Sequence, residues 1–351
     1  MFRSVIFKRD ARSGYIKRFS AKQIAAQAGV GLATVDRVLN DRGNVHRLTV
    51  QKVTKAIEEL ESQYQLSLMR GRTFYFDLLM DTPSRFSQQV KDAFLWVLPQ
   101  MSPYKIRVRF RFFERISAFD MVEEVMKTTA RQCHGLVLKA PNLPEVSRAV
   151  NAVSEQLPIV TLVTDIPDSK RLAYIGMNNH SAGQTAAYLL AQWLPVSESR
   201  ILCPLSDHTF HGEEERLAGF LSVLARYPYL SVIDASGGKG LPLDTERRIK
   251  DCIESDNAVS GVYSIGGGNR AILRAFEALG RENPVFIAHD MDDENRDLLN
   301  QFKIHAVIDH KLRDDARAAL QFLLNHYRRT PLINGYQSSI NVVTPFSQSL
   351  R

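Results

Sequence analysis

The chain has 351 residues, 44% hydrophobic and 24% charged, which suits two or three globular domains and excludes collagen-like, coiled-coil and disordered chains. No apolar run approaches the roughly 20 residues of a membrane-crossing helix, and charges interrupt the opening stretch MFRSVIFKRDARSGYIKRF before a signal-peptide core can form. The net charge of +7 is unevenly placed, with fourteen Lys and Arg against six Asp and Glu in residues 1–72 but 31 against 32 in the other 279.

A basic head on a neutral body is the asymmetry of a nucleic-acid-binding domain joined to something else. Cys133, Cys203 and Cys252 are widely spaced and show no metal or redox pattern. They read as small buried hydrophobes of a reducing, cytoplasmic compartment.

Residues 1–19 carry six basic side chains and no periodic apolar face, so they read as a basic flexible extension. Ser20 is a helix cap for AKQIAAQA, in which Ile24, Ala25 and Ala28 share a face. Gly29 supplies the backbone angle for a sharp turn. LATVDRVLN then makes a second helix with Val35, Val38 and Leu39 inward, and LTVQKVTKAIEEL a third, with Val53, Ala56, Ile57 and Leu60 at helical spacing. Two short helices about a Gly turn, followed by a third, make a helix-turn-helix domain over 20–62.

The turn leaves Leu32, Ala33 and Arg37 on the outer face of the second helix, whose N-terminal part enters the major groove in such domains. Arg37 suits a guanine edge, and Leu32 and Ala33 suit thymine methyls. Thr34 and Asn40 are short polar residues placed for phosphate oxygens, which fix register without reading sequence.

QIAAQAGVGLATVDRVLN followed by VHRLTVQKVTKAIEEL closely resembles the headpiece of the LacI/GalR family of bacterial transcriptional regulators. The resemblance implies double-stranded DNA with a near-palindromic operator as partner, and a homodimer to read it. By position Leu32, Ala33 and Arg37 look like the family's base readers and Thr34 and Asn40 like its phosphate contacts, with Ser20 at the start of the domain. The chain departs from the family at Gly31 and His46, where Ser residues usually cap helices, and at Asp36, which puts a negative charge in place of a common Ser.

ESQYQLSLMRGRT is expected to be the hinge, residues 63–72. In the family a short helix forms here when two subunits sit side by side on DNA, and a Leu wedges into the minor groove. The L-x-x-G-x-T pattern makes Leu68 that residue, although the segment is short and lacks the usual Pro-Asn start.

From 73 onward apolar runs alternate with helical segments: FYFDLLM, IRVRFRFF, GLVLKA, PIVTLV, RILCPL, LSVIDAS, GVYSI, PVFIAHD and HAVID are expected strands. The alternation gives β-α-β units and parallel sheets, and two sheets fit better than one. The fold class is therefore α/β, with an all-α headpiece before a core of two subdomains. The resemblance extends here to a periplasmic-binding-protein-like core over 73–343, carried by DIPDSKRLAYIGMNNHSAGQTAAYLL, EEERLAGF and YSIGGGN. It places the N-subdomain at about 73–177 and 309–333, the C-subdomain at about 178–308 and 334–343, crossovers near 177, 308 and 334, and a tail at 344–351.

Nucleotide-binding signatures are absent: there is no G-x-G-x-x-G after the first strand and no G-x-x-x-x-G-K-[ST]. His208, His211 and Glu213–Glu215 lack the H-E-x-x-H spacing of a metal site and read as a polar helix start, and no nucleophile grouping is marked. Neither an enzyme nor a cofactor is expected.

Ligands of α/β sheets lie at strand ends. By resemblance Arg216, in R-x-x-G-F, donates to the hydroxyls of a small effector, and Asp290, closing FIAHD, accepts from them. Phe86, Asp165 and Asn178 match further cleft positions. His310 stands where Gln is common and Gly266 where a polar side chain often is. Arg and carboxylate groups around a ring are chemistry for a sugar or polyol. The expected protein is thus a sequence-specific, effector-controlled DNA-binding regulator, a repressor, with no membrane partner. The alternative is a sugar-binding protein or sugar-metabolising enzyme with an appended headpiece.

Overall fold

The computed structural model describes residues 18–43, 45–69, 71–256, 258–328 and 336–347. The chain divides into two compact units, one running to Arg72 and the other from Thr73, with Pro103–Lys105 grouped with the first.

In the first unit α1 (Ala21–Ala28), α2 (Leu32–Leu39) and α3 (Arg47–Met69) follow the expected order. A capping box starts α1: Ser20 Oγ accepts from the Gln23 amide at 3.3 Å and Gln23 Oε1 from the Ser20 amide at 2.8 Å. Gly29, at φ +63°, ends the helix in the left-handed region, which lets the chain turn at once into α2. Ile24, Ala25, Val35 and Val53 are buried together. Phe19 joins them and meets Tyr64 edge-on at 6.1 Å. Phe19 therefore belongs to the folded unit and not to the basic extension; residues 1–17 of that extension lie outside the described residues.

The other difference is at the far end. The sequence reading closes the third helix near Leu60 and opens a hinge at 63, whereas α3 continues unbroken to Met69. From 47 to 69 the chain contains neither Gly nor Pro, and runs of Glu, Gln, Leu and Met favour helix. Gly71, at φ +86°, lies in the left-handed region just before the second unit.

The second unit begins with β1 (Thr73–Asp81), α4 (Ser84–Val97), β2 (Lys105–Phe113), α5 (Ala118–Ala130), β3 (Leu136–Lys139), α6 (Pro144–Ser154), β4 (Ile159–Leu162) and β5 (Ala173–Ile175). These strands form one sheet in the order β2-β1-β3-β4-β5. There follow α7 (Asn179–Trp193), β6 (Ser199–Cys203), α8 (His211–Leu224), β7 (Leu230–Asp234), α9 (Pro242–Glu254), β8 (Val259–Ser264), α10 (Asn269–Ala278), β9 (Val285–His289), α11 (Asp293–Asn300), β10 (Ala306–Asp309), α12 (Leu312–Arg328) and β11 (Asn341–Val343). The second sheet has the order β11-β10-β9-β8-β6-β7, parallel except where β11 runs against β10.

Each sheet buries an apolar layer on its helices: Leu136, Leu138, Val146 and Val150 in the first, Leu190, Ile201, Phe220 and Ile287 in the second. Continuous apolar runs such as GLVLKA reflect strands covered on both faces. The three-residue strands β5 and β11 lay outside the sequence reading, because runs this short carry no periodicity.

Three passages of chain join the subdomains. Residues 176–178 lead from β5 to α7, and 310–311 lead from β10 back to α12, which packs on α4, β4 and β5. The third returns through 336–340 to β11, where Ser338 bridges Met177 and its amide donates to the Gly176 carbonyl at 2.9 Å. Position 334, expected as a crossover, lies outside the described residues.

Candidate functional site

Two surfaces carry the residues of interest. The first is the outer face of α2, where Leu32, Ala33 and Arg37 are exposed, Leu32 at 54%. Val35 on the opposite side is fully buried and anchors the helix. Gly31 offers no side-chain cap. At α3 the imidazole of His46 takes the capping role, its Nδ1 accepting from the Leu48 amide at 3.3 Å. The negative charge of Asp36 is compensated locally, by Arg42 at 2.9 Å and by the Asn40 amide group at 2.6 Å. Asn40 is thereby turned back onto its own helix, and Thr34 is half-buried. Leu68 falls in the last turn of α3.

The second surface is a cavity of about 300 Å³ in the unit from Thr73 onward, between the C-terminal ends of the strands of its two sheets. One wall comes from the end of β1 (Asp81), the start of α4 (Phe86), the end of β3 (Lys139) and Thr164. The other comes from Ser206 after β6, Glu213 and Arg216 on α8, Gly266 after β8 and Asp290 after β9. The cavity lies where the strand-end rule expects ligands of α/β sheets.

Arg216 is buried at 4% exposure. Its Nε donates to Asn179 Oδ1 at 2.8 Å, and Asn179 in turn donates to the Tyr174 hydroxyl at 2.9 Å. Asp290 sits at φ +65°, the left-handed region that Asp tolerates better than most residues, so the chain leaves β9 abruptly with the carboxylate at the cavity wall. Burial pushes the Asp290 carboxyl up, but His310, the Arg216 guanidinium and His289 hold it well below the usual carboxylate range. It is a fixed anion facing a fixed guanidinium.

Gly266 has a steric reason: a Cβ there would lie 2.0 Å from the Ser206 amide nitrogen, so no polar side chain fits.

Of the sequence-expected cleft residues, Phe86, Arg216, Gly266 and Asp290 meet in the lining. Asp165, Asn178 and His310 do not. Asp165 accepts from Thr161 Oγ1 at 2.7 Å and pairs with Arg171, while its neighbour Thr164 lines the cavity. Asn178 caps α7, accepting from the Ser181 amide at 2.9 Å, and the next residue, Asn179, holds Arg216. Thr164, one residue before Asp165, thus lines the cavity, and Asn179, one residue after Asn178, reaches it only through Arg216; at such loops spacing cannot settle which neighbour turns inward. His310 stands behind Asp290, fully enclosed.

Sequence reasoning missed Lys139 and Glu213. Lys139 is buried; its ammonium donates to the Asp81 carbonyl at 2.7 Å and lies 4.1 Å from the centre of the Phe210 ring. Burial lowers its pKa, against the pull of Glu213 and Asp81. A lysine closing the apolar run GLVLKA was the available signal, since buried lysines are rare without a task. Glu213 accepts from the Ser206 amide at 2.7 Å and its hydroxyl at 2.5 Å. Desolvation raises its pKa, opposed by Ser206, Lys139 and Arg216. It had been absorbed into a polar helix start.

The walls also touch across the front of the cavity. Arg85 pairs with Asp292 and Arg115 with Asp244, and the Gln89 amide donates to the Met291 carbonyl at 2.6 Å. Among the described residues, no grouping of His, Cys, Asp and Glu is arranged to hold a metal, and no helix is long and apolar enough to cross a membrane.

Residues 20–64 match the family described as bacterial regulatory proteins, lacI family, and residues 80–329 match the periplasmic binding protein domain. No curated protein sequence matches significantly. Solved structures share the fold of the body. A glucose-galactose binding protein, GanP, from Geobacillus stearothermophilus is 15% identical with a TM-score of 0.71, over 80% of this chain and 100% of its own. An arabinose binding protein, AraP, from the same organism is 22% identical with a TM-score of 0.62, over 78% and 97%. A candidate LacI transcriptional regulator from Bacteroides fragilis is 17% identical with a TM-score of 0.68, over 78% and 98%. The chain belongs to the lacI family of bacterial regulatory proteins, with that family's helix-turn-helix domain at 20–64 and a periplasmic binding protein domain filling most of the remainder.

Proposed function

We propose that this protein is a sequence-specific DNA-binding transcriptional repressor, cytoplasmic and homodimeric, whose operator affinity is set by a sugar or polyol bound in the cavity. The observation that carries the reading is the cavity's opposed pair: a buried guanidinium and a fixed carboxylate at strand ends, in a chain that also presents Leu32, Ala33 and Arg37 on a helix-turn-helix. Arg216 offers N–H donors and Asp290 lone pairs at fixed positions, which suits vicinal hydroxyls. Phe86 supplies an apolar ring beside them. The binding proteins for glucose, galactose and arabinose that share the fold support the same ligand class. The reading assigns no catalytic residue and no cofactor.

Ligand in the cavity favours one arrangement of the two subdomains and so alters the spacing of two hinges in a dimer; the coupling between effector and operator is the difference in affinity between the two arrangements. Each headpiece reads few bases, so the dimer requires a near-palindromic site. Leu68 is the proposed minor-groove wedge.

The test is a thermal-shift screen of pentoses, hexoses and alditols, since a binder stabilises the folded protein by mass action, followed by calorimetry and operator gel shifts with Asp290→Ala. The mutant should lose sugar binding and the sugar's effect on DNA while still binding DNA. Undiminished sugar affinity in Asp290→Ala would overturn the cavity assignment, and turnover of a sugar by the purified protein would overturn the regulator reading in favour of an enzyme.

A further inference from the structure

Behind the cavity wall, His310 lies between two carboxylates from distant parts of the chain. Its Nε2 is 3.5 Å from Asp290 Oδ1, and its Nδ1 is 2.6 Å from Asp315 Oδ2. Asp290 belongs to the lining of the cavity, whereas Asp315 lies in the first turn of α12, which packs on the first sheet. The other oxygen of Asp315 accepts from the Tyr336 hydroxyl at 2.8 Å and from the Ser338 hydroxyl. Ser338 continues to Gly176 through its amide and to Met177 through the β-bridge. This chain of contacts therefore runs from the cavity through all three passages that join the subdomains: His310 on the second, Tyr336 and Ser338 on the third, Gly176 and Met177 on the first.

Neutral imidazole carries one N–H and cannot donate to two carboxylates; imidazolium can. Burial would push the His310 pKa down, but the facing Asp290 carboxylate and the hydrogen-bonded, charged Asp315 outweigh it and raise the value to about 10. A buried charged triad of this kind is weak evidence of stability, because desolvation consumes most of the Coulombic gain. What it does provide is directional connection. Asp290 Oδ1 and His310 Nε2 face each other at 3.5 Å, both buried and neither with another hydrogen-bond partner, so an effector hydroxyl that engages the Asp290 carboxylate from the cavity changes the charge that the His310 ring meets.

We propose that His310 is a positioning residue that couples the cavity carboxylate Asp290 to the three passages between the subdomains, so that engagement of Asp290 by an effector hydroxyl changes how firmly those passages are held. The inference builds on the reading of the cavity as the effector site, but its first test needs no effector.

In the ligand-free, full-length protein, amide hydrogen exchange at Ser338 is the readout, because that amide donates to Gly176 across two of the passages. Asp290→Asn, which removes the charge but keeps the shape, should speed Ser338 exchange by about tenfold or more, although residue 290 does not touch it. His310→Gln should do the same, and combining the two should add little, because both break one connection. Exchange within about twofold of wild type in Asp290→Asn, or effects of the two substitutions that simply multiply, would overturn the proposal.

A purely packing role is separated by the ¹⁵N shifts of the His310 ring, expected to be those of imidazolium at about pH 8; a singly protonated ring overturns the proposal. Should His310→Gln fail to fold, Ser338→Ala, which removes one donor to Asp315, must shift the His310 ring signals, and unmoved signals count against the connection. D-Glucose, D-galactose and L-arabinose then serve as probes. If none stabilises the protein, the effector reading fails for these sugars, while Ser338 exchange still decides the role of His310.

Discussion

Gly219→Ala tests whether the close crossing of α7 and α8 holds the proposed effector site together. A Cβ on Gly219 would lie 1.9 Å from the carbonyl oxygen of His180, and one on Gly183 would lie 1.9 Å from that of Arg216. Ordinary contacts begin near 3.4 Å, so an alanine forces the helices apart by about 1.5 Å, and the obstacle is backbone that cannot rotate away. Overpacking of this kind costs about 1–3 kcal/mol or more, against a gain of up to about 1 kcal/mol from placing Ala in a helix. The sign of the effect is therefore diagnostic: without the clash the mutant would be stabler than wild type. A net loss of about 2 kcal/mol lowers the melting temperature of a body this size by roughly 4–8 °C. Arg216 precedes Gly219 by one helical turn and moves with it, so sugar affinity should fall in the same mutant. Thermal unfolding followed by circular dichroism measures the first effect and calorimetry the second. An unchanged or raised melting temperature would refute the backbone-to-backbone crossing.

Arg37→Ala should lower discrimination at one operator base pair by about 1–3 kcal/mol while leaving salt-dependent nonspecific binding in place; in competition gel shifts, an unaltered operator preference removes Arg37 as a reader. Ser20→Ala breaks the capping box and should cost the headpiece about 1 kcal/mol, visible as a lower melting temperature of that unit and absent if Gln23 alone suffices. The folded pKa of His310, about 10, lies above its ordinary 6.5; stability from its protonated form is complete below pH 6.5 and is lost as pH rises toward 10. Asp290 and Asp315 face the ring, with Asp309 and His289 close by. Wild-type stability should therefore fall over that range by up to about 1.4 kcal/mol per pH unit, read as a falling melting temperature, and His310→Gln should flatten the profile; parallel pH profiles would exclude the imidazolium.

The fold was largely legible because its signals are local. The Gly29 turn, the Ser20 cap and the alternation of apolar runs with helical segments depend on neighbours within a few residues. What stayed hidden depends on distant partners. Phe19 looked like part of a charged tail until Ile24, Val53 and Tyr64 surrounded it. The continuation of α3 past Leu60 was signalled only by the absence of Gly and Pro, which a reading built on the hinge pattern discounted. In the cavity, Arg216 and Asp290 were legible through the family resemblance of R-x-x-G-F and FIAHD, and Asp290 also as a charge closing an apolar run. Thr164 in the lining and Asn179 behind Arg216 stand one residue from the expected Asp165 and Asn178, since a one-residue change in a turn reverses which side chain points inward. Lys139 and Glu213 gained meaning only when β3 and α8, some 70 residues apart in sequence, faced one cavity.

That assembly also bears on what the cavity can accept. Arg85, Lys139, Arg216 and Lys239 stand against Asp81, Glu114, Asp207, Glu213 and Asp290 within one lining, and His310 adds a positive charge behind Asp290. Each of these groups already has a charged or hydrogen-bonding neighbour. A ligand bearing a full charge would have to shed its hydration and then oppose one of these groups, since buried ions are favourable only with a dedicated counter-ion. A neutral polyhydroxylated ring exchanges hydrogen bonds with water for hydrogen bonds with both signs of charge at once. Nearly balanced charge, crowded donors and acceptors and the adjacent Phe86 ring thus favour the same uncharged class of effector that the Arg216–Asp290 pair suggests, and they do so by an argument independent of any likeness to other proteins.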